Sequence, residues 1–239
     1  MKKAIIIGAS SGIGRAMAKI LSSEGYILGL AARRTKLLTE LQNELGTRSY
    51  IKYIDVSAQE EAIKSFSDLI DEMSGVDMII ITSGNGYINP LLDWEKEKST
   101  IDVNVSGVTA MINIAIKHFY KKGTGQLVVI SSVAALRGSG GAPAYNATKA
   151  YLANYLEGIR CRIKKDKKDI TVTDIRPGLV DTDMAKGEGL FWVQPVEKAA
   201  GQIYSKILRK KKIAYVTKRW GAVAFLLKHI PEKLLYKME

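Results

Sequence analysis

The sequence predicts a doubly wound α/β fold, in which one parallel sheet carries helices on both of its faces. Three observations support this. Short apolar runs rich in Ile, Val and Leu alternate from the start with longer segments of helical spacing, and continuous apolar strands belong to sheets buried on both sides. A glycine cluster falls between the first run and the first helical segment, where such a fold needs a tight strand-to-helix turn. A length of 239 residues, 46% hydrophobic and 25% charged, suits a single core.

The elements follow in order. Residues 4–7 are the first expected strand, and their apolar run stops at Gly8, too soon for a secretion leader. Residues 13–23 continue with apolar positions at helical spacing, and residues 26–32 give a second strand that ends ahead of two arginines. Residues 49–54 and 76–81 are the third and fourth strands, with a helix over 58–73 between them. A fifth strand over 126–131, a long helix over 145–163 and a sixth strand over 170–175 come next. The rhythm breaks between Thr182 and Gln194, where Gly187 and Gly189 precede Phe191 and Trp192. An apolar run at 213–217 closes a domain over residues 1–217, and residues 218–239 form a basic amphipathic tail.

Composition removes several function classes. Cys161 is the single cysteine, which excludes a disulfide framework and a thiolate zinc site. On an apolar helix face it is expected to be a small buried residue. His118 and His229 are the two histidines, so neither a histidine-rich metal site nor a Ser-His-Asp triad has material to build on. The net charge of +12 is localised: residues 160–169 contribute +4, residues 206–239 contribute +8, and the remainder sums to zero. A nucleic-acid binder would spread that charge along a working face, so no nucleic-acid partner is expected. The apolar stretch at 220–227 is too short to span a bilayer. A cytoplasmic location is expected, with attachment to the inner face of a membrane left open.

The glycine cluster reads Gly8-Ala9-Ser10-Ser11-Gly12-Ile13-Gly14. Glycines there let the backbone approach a pyrophosphate, whose charge the amides at a helix N-terminus can meet. The plainer alternative is an ordinary turn, and the cluster's position favours dinucleotide binding. An NAD site wants a carboxylate at the end of the second strand. This chain has Ala32 there, and its next acidic residue is Glu40. Arg33 offers instead a guanidinium that could fork onto a 2′-phosphate, so NADP(H) is preferred to NAD(H), unless Arg33 is simply solvated.

With its remaining motifs, the chain resembles the short-chain dehydrogenase/reductase family, in its short single-domain Rossmann-type form. The family's Gly-x-x-x-Gly-x-Gly matches Gly8, Gly12 and Gly14, and its adenine-contacting Asp-Val pair matches Asp55 and Val56. Its helix Asn matches Asn104, its Ser matches Ser132, and its Tyr-x-x-x-Lys matches Tyr145 and Lys149. Its Pro-Gly followed by Thr matches Pro177, Gly178 and Thr182. The resemblance implies cofactor contacts from these residues, from Ser10, Ser11 and Ile13, and from Gly84 and Val180. Two places depart: Ile7 stands where the family has Thr, and Ile81-Thr82-Ser83-Gly84 stands for its Asn-Asn-Ala-Gly. These places lie close together in such a fold, so the changes can compensate.

As chemistry, Tyr145 and Lys149 are four apart and share a helix face. A phenol at its ordinary value of about 10 gives up its proton poorly at neutral pH, and a neighbouring ammonium lowers that value. Lys149 is expected to do this and to hydrogen-bond the nicotinamide ribose. Ser132 is expected to donate to the substrate oxygen, and the resemblance implies that Asn104 holds a water linking Lys149 to solvent. Thr182 is placed to bond the nicotinamide carboxamide, whereas Asp181 and Asp183 read as a solvated loop. Residues 184–194 occupy the family's lid position, with Phe191 and Trp192 either covering an apolar ligand or packing on the sheet. Leu136, Leu179 and Met184 are expected to line that side of the pocket.

The resulting expectation is an NADP(H)-dependent oxidoreductase acting on an uncharged, apolar carbonyl compound or its alcohol, as a homodimer or homotetramer by family resemblance. A non-catalytic dinucleotide-binding sensor or scaffold is one alternative. A membrane-surface adaptor using the tail is another. In that tail Trp220, Val223, Ala224, Leu227 and Ile230 repeat at helical spacing beside Lys218, Arg219 and Lys228, and Leu234 and Leu235 follow Pro231. Packing on the chain's own domain is favoured over lying on a bilayer.

Overall fold

The computed structural model describes residues 1–183 and 192–236. Its apolar runs become seven strands: β1 (Lys3–Ile7), β2 (Ile27–Ala32), β3 (Ser49–Tyr53), β4 (Met78–Ile81), β5 (Thr124–Ile130), β6 (Asp169–Pro177) and β7 (Ile213–Val216). All pair in parallel, in the order β3-β2-β1-β4-β5-β6-β7. The chain winds outward from β1 to β3, then returns across β1 to begin β4. That reversal lies between β1 and β4, where an open α/β sheet forms its ligand crevice.

Nine α-helices are described: α1 (Gly12–Ser23), α2 (Thr35–Glu44), α3 (Gln59–Glu72), α4 (Trp94–Ile101), α5 (Val108–Lys122), α6 (Pro143–Lys165), α7 (Val196–Leu208), α8 (Lys218–His229) and α9 (Glu232–Leu235). Alternate residues of each strand feed two cores. Ile5, Ile7, Ile79, Leu127 and Val172 meet Phe66, Met111, Phe119 and Leu156 on the side of α3, α5 and α6. Ile6, Leu28, Leu30, Ile80 and Ile175 meet Met17, Leu21, Leu41 and Ile203 on the side of α1, α2 and α7. Covered on both faces, the strands need no polar face, which is why their sequences read as unbroken apolar runs.

The helical stretch Trp94–Lys122 is long and apolar enough to cross a membrane by length and composition. Val108, Met111, Ile112, Ala115 and Phe119 of α5 are buried against the first core, which accounts for much of that apolarity. Cys161 is exposed, not buried as expected. α6 buries Leu152, Leu156 and Ile163, and at 100° per residue Cys161 falls well off that stripe.

Tail residues Trp220, Ala224 and Ile230 are buried. Arg137 holds α8 from the domain side, donating to the Leu227 carbonyl at 2.8 Å and the Ile230 carbonyl at 2.5 Å. A cation on these last carbonyls satisfies groups that a helix C-terminus leaves open.

Candidate active site

At the end of β1 the chain turns through Gly8, whose φ of +96° is a conformation that glycine adopts at little cost. A Cβ on Gly14 would lie 2.2 Å from the Gly8 carbonyl oxygen, so only glycine lets α1 start this close to the strand. Ser11 caps α1 in extended geometry, and its side chain accepts no hydrogen bond from the first turn. The helix's leading amides are therefore left for another acceptor, which suits an anion. Thr182 closes over this loop, with its methyl 3.1 Å from where a Gly12 Cβ would stand.

The two departures at this floor meet in space. The Thr82 hydroxyl lies 3.0 Å from the carbonyl oxygens of both Ile7 and Gly8. A polar tie between β1 and the β4 end is thus supplied from β4, while the Ile7 side chain is wholly buried in the core.

A cavity of about 890 Å³ opens above the sheet's C-terminal edge. Gly8, Ser10, Ser11, Gly12, Ile13, Gly14, Arg33, Asp55, Val56, Gly84, Ser132, Tyr145, Lys149, Pro177, Gly178, Val180 and Thr182 all line it. Of the expected catalytic and cofactor-binding residues, Asn104 alone stands behind the wall, fully buried. At the nucleotide end Arg33 is mostly exposed, 3.9 Å from the Asp55 carboxylate. Asp55 in turn accepts from the Ser57 amide and hydroxyl. Sequence reasoning missed Arg34, which turns back to place its guanidinium 3.1 Å from the Ser10 hydroxyl and 2.6 Å from that of Ser11. Arg34 therefore flanks the glycine loop, and Arg33 lines the same cavity beside Asp55.

Tyr145 sits in the first turn of α6, which opens on Pro143, a residue suited to that position. Its ring packs on Gly86, where a Cβ would be 2.4 Å from the ring edge. The Lys149 amine, one turn on, is buried, 5.5 Å from the ring centroid and 3.3 Å from the Ile130 carbonyl oxygen. Burial holds the Tyr145 phenol above its ordinary value, and a hydrogen bond with Ser132 offsets part of that rise. The expected lowering by Lys149 is not found. The amine lies beside the ring face, and burial draws it down from 10.5 to about 8 against the pull of the Asp174 carboxylate.

Asn104 lies in a single π-helical stretch, Asp102–Gly107, between α4 and α5. Such widened turns re-aim side chains and recur at functional sites. Its Oδ1 accepts from the Asn85 amide at 2.9 Å, and its Nδ2 donates to the Asn85 carbonyl at 2.8 Å and to the Thr148 hydroxyl at 3.1 Å. This side chain fixes the wall that carries Gly84 and Gly86 against Lys149 and Tyr145. Asp174 was also missed: wholly buried on β6, it accepts from the Ser131 hydroxyl and from the Arg176 guanidinium at 2.7 Å. Ser131 directly precedes Ser132, so this buried pair helps set the end of β5.

Toward the far end the cavity is lined by Tyr87, Ile88, Leu179, Trp220 and Leu227. Leu179 is where expected, but Leu136 is not in the lining; Val133, Ala134 and Arg137 take those positions. Leu136 closes the short turn Val133–Leu136 and is partly buried outside that lining, whose next position is filled by Arg137 reaching across to the end of α8. Trp192 is half exposed, with the Arg219 guanidinium 5.8 Å from its ring centroid. Val180 pairs with Gln194, the last residue of the expected lid, in an isolated bridge. Met184, Gly187, Gly189 and Phe191 lie outside the described residues.

A doubly wound sheet with a glycine-lined phosphate floor and a Ser-Tyr-Lys cluster over its crevice defines a dinucleotide-dependent oxidoreductase. The family model described as short chain dehydrogenase matches residues 2–190, and this chain belongs to that family. It is 36% identical to an uncharacterized oxidoreductase of Mycobacterium tuberculosis over 191 residues, 77% of this chain and 75% of the relative. Among solved structures, an alcohol dehydrogenase from the archaeon Thermococcus sibiricus, complexed with 5-hydroxy-NADP, superposes with a TM-score of 0.79 at 25% identity, covering 90% of this chain and 95% of that one. A short-chain dehydrogenase from Sphingobium yanoikuyae, in complex with NADPH, shares the fold with a TM-score of 0.80 at 22% identity, covering 97% of each chain.

Proposed function

We propose that this chain is an NADPH-dependent carbonyl reductase, equally an alcohol dehydrogenase in reverse, acting on an uncharged, apolar substrate. The observation that carries the proposal is the convergence of Ser132, Tyr145 and Lys149 on one cavity that also runs over the glycine loop and two arginines. The residues fit a dinucleotide: Ser10 to Gly14 would hold the pyrophosphate, Asp55 and Val56 the adenine, and Arg33 and Arg34 a 2′-phosphate. When bound, that cofactor supplies the hydride.

The chain's own residues handle the proton and the charge. Ser132 orients the substrate carbonyl by donating to its oxygen, and Tyr145 delivers a proton to that oxygen as it gains negative charge. The phenol's raised value keeps it protonated at neutral pH, the state that reduction requires. Lys149 stabilises the phenolate that remains. In the oxidative direction the same groups work in reverse. Ile88, Leu179, Trp220 and Leu227 give the far end an apolar lining, which supports an apolar substrate.

The test follows NADPH consumption across a panel of apolar ketones and aldehydes. Tyr145→Phe is expected to lower turnover by about 100-fold or more while leaving NADPH binding intact. Normal turnover in that variant would overturn the proposal, and cofactor binding with no turnover in the unaltered protein would favour a sensor.

A further inference from the structure

The proposed reaction leaves the outward side of α8 and α9 unused. Phe225 and Leu226 are 69% and 59% exposed, and Leu234 and Tyr236 are 50% and 68% exposed. Single exposed apolar residues are ordinary, but four within a span of twelve residues make a patch. The other side of α8 belongs to the cavity, which Trp220 and Leu227 line. Arg137 ties the helix in that pose through the Leu227 and Ile230 carbonyls. Patch and cavity are therefore two sides of one helix.

Charge selects the occupant. Arg219, Lys228 and Lys233 are exposed around the patch. The acid beside them, Glu232, accepts the Tyr236 hydroxyl. An apolar stripe bordered by cations fits an anionic bilayer, with rings and aliphatic carbons entering the acyl boundary and cations staying among the phosphates. A second copy fits worse, because a two-fold contact sets the same patch against itself and brings these cations together. Across the cavity, Tyr87 and Ile88 are 42% and 74% exposed and also line it. A carbon chain leaving the cavity would thus meet apolar side chains on both sides.

We infer that α8 and α9 seat the protein on an anionic lipid surface, and that its substrate is a lipid-phase carbonyl or alcohol compound entering the cavity beside that surface. The substrate half rests on the reductase reading; the docking surface does not.

The test sediments the full chain with vesicles of phosphatidylcholine, alone or mixed with phosphatidylglycerol, at low and high salt. The variant carries Phe225→Asp and Leu226→Asp, neither of which lines the cavity. The unaltered protein is expected to partition about tenfold or more better onto the anionic vesicles, less so at high salt, and the variant to lose at least about tenfold of that binding. NADPH titration should be the same for both proteins, which shows the variant folded. Failure to bind anionic vesicles, or equal binding by the variant, would overturn the docking surface. Lipid-free self-association that the variant abolishes would overturn it in favour of a second copy. For the substrate, turnover of a long-chain aldehyde held in anionic vesicles should drop in the variant, while a water-soluble short aldehyde is consumed equally. Equal turnover of both aldehydes by both proteins, or consumption of neither, would overturn the lipid substrate, and in the latter case vesicle binding would still stand.

Discussion

Replacing Lys149 with Met should make the protein more stable and inactive at once. Lys149 is 3% exposed, and burial brings its pKa from 10.5 to about 8. A depression of that size corresponds to roughly 3 kcal/mol by which the folded state disfavours the charged form. Met has a similar length and no charge, and it forgoes only a 3.3 Å hydrogen bond to the Ile130 carbonyl and the contact with the Tyr145 ring. At pH 7 the lysine is charged in both folded and unfolded chains, so the full cost applies and the variant should gain about 2–3 kcal/mol. As pH rises through 8, the folded lysine sheds its proton before the unfolded one does, and the variant's advantage shrinks, vanishing above about 10.5. Urea unfolding of both proteins at several pH values measures the difference, and taking the difference cancels the other titrating groups. A variant destabilised at pH 7, or an advantage independent of pH, would refute the assignment of a strained, buried ammonium.

Two further substitutions probe the framework. Asp174→Asn removes the partner of Arg176 and leaves a buried guanidinium uncompensated, which should cost roughly 3 kcal/mol in urea unfolding. Because the Asp174 charge raises the Lys149 value, the basic limb of the pH–rate profile should also move to lower pH, and an unmoved limb would contradict that coupling. Gly178→Ala would put a Cβ 2.1 Å from the Trp220 ring, so the ring must shift, at about 1–3 kcal/mol in thermal unfolding. The same change should cost clearly less in a Trp220→Ala background; an equal cost would mean that the two do not touch.

What the sequence revealed depended on how local each feature is. Six of the seven strands were legible because a sheet buried on both faces writes itself as apolar runs, although the ends moved; β7 showed only as the apolar run that closes the domain. β4 starts at Met78, since Ser74 and Gly75 turn with positive φ just before it. β6 runs on to Pro177, whose partner is Val216. The glycine loop and the Tyr145–Lys149 pair were legible because their spacing is short. Contacts between distant segments were not. Gly86 beneath Tyr145, Gly178 against Trp220 and the Asn104–Asn85 bonds each join residues whose nearness depends on the finished fold. Asp174 in a strand gives no sign of being buried until Arg176 and Ser131 close on it. Arg33 and Arg34 are adjacent in sequence, and the path of the backbone after β2 decides which one returns to the glycine loop. The Tyr145 value went the other way from expectation because helical spacing supplies the neighbouring charge but not the burial.

The most direct measurement is a fluorescence titration of the purified protein with NADPH and with NADH, which needs no knowledge of the substrate. NADPH is expected to bind more tightly. Arg33→Ala and Arg34→Ala should each weaken it by about tenfold or more, the scale of a charge-assisted hydrogen bond, and leave NADH nearly unaffected. Equal or tighter binding of NADH would contradict the role given to the two arginines, and binding of neither would contradict the dinucleotide site itself.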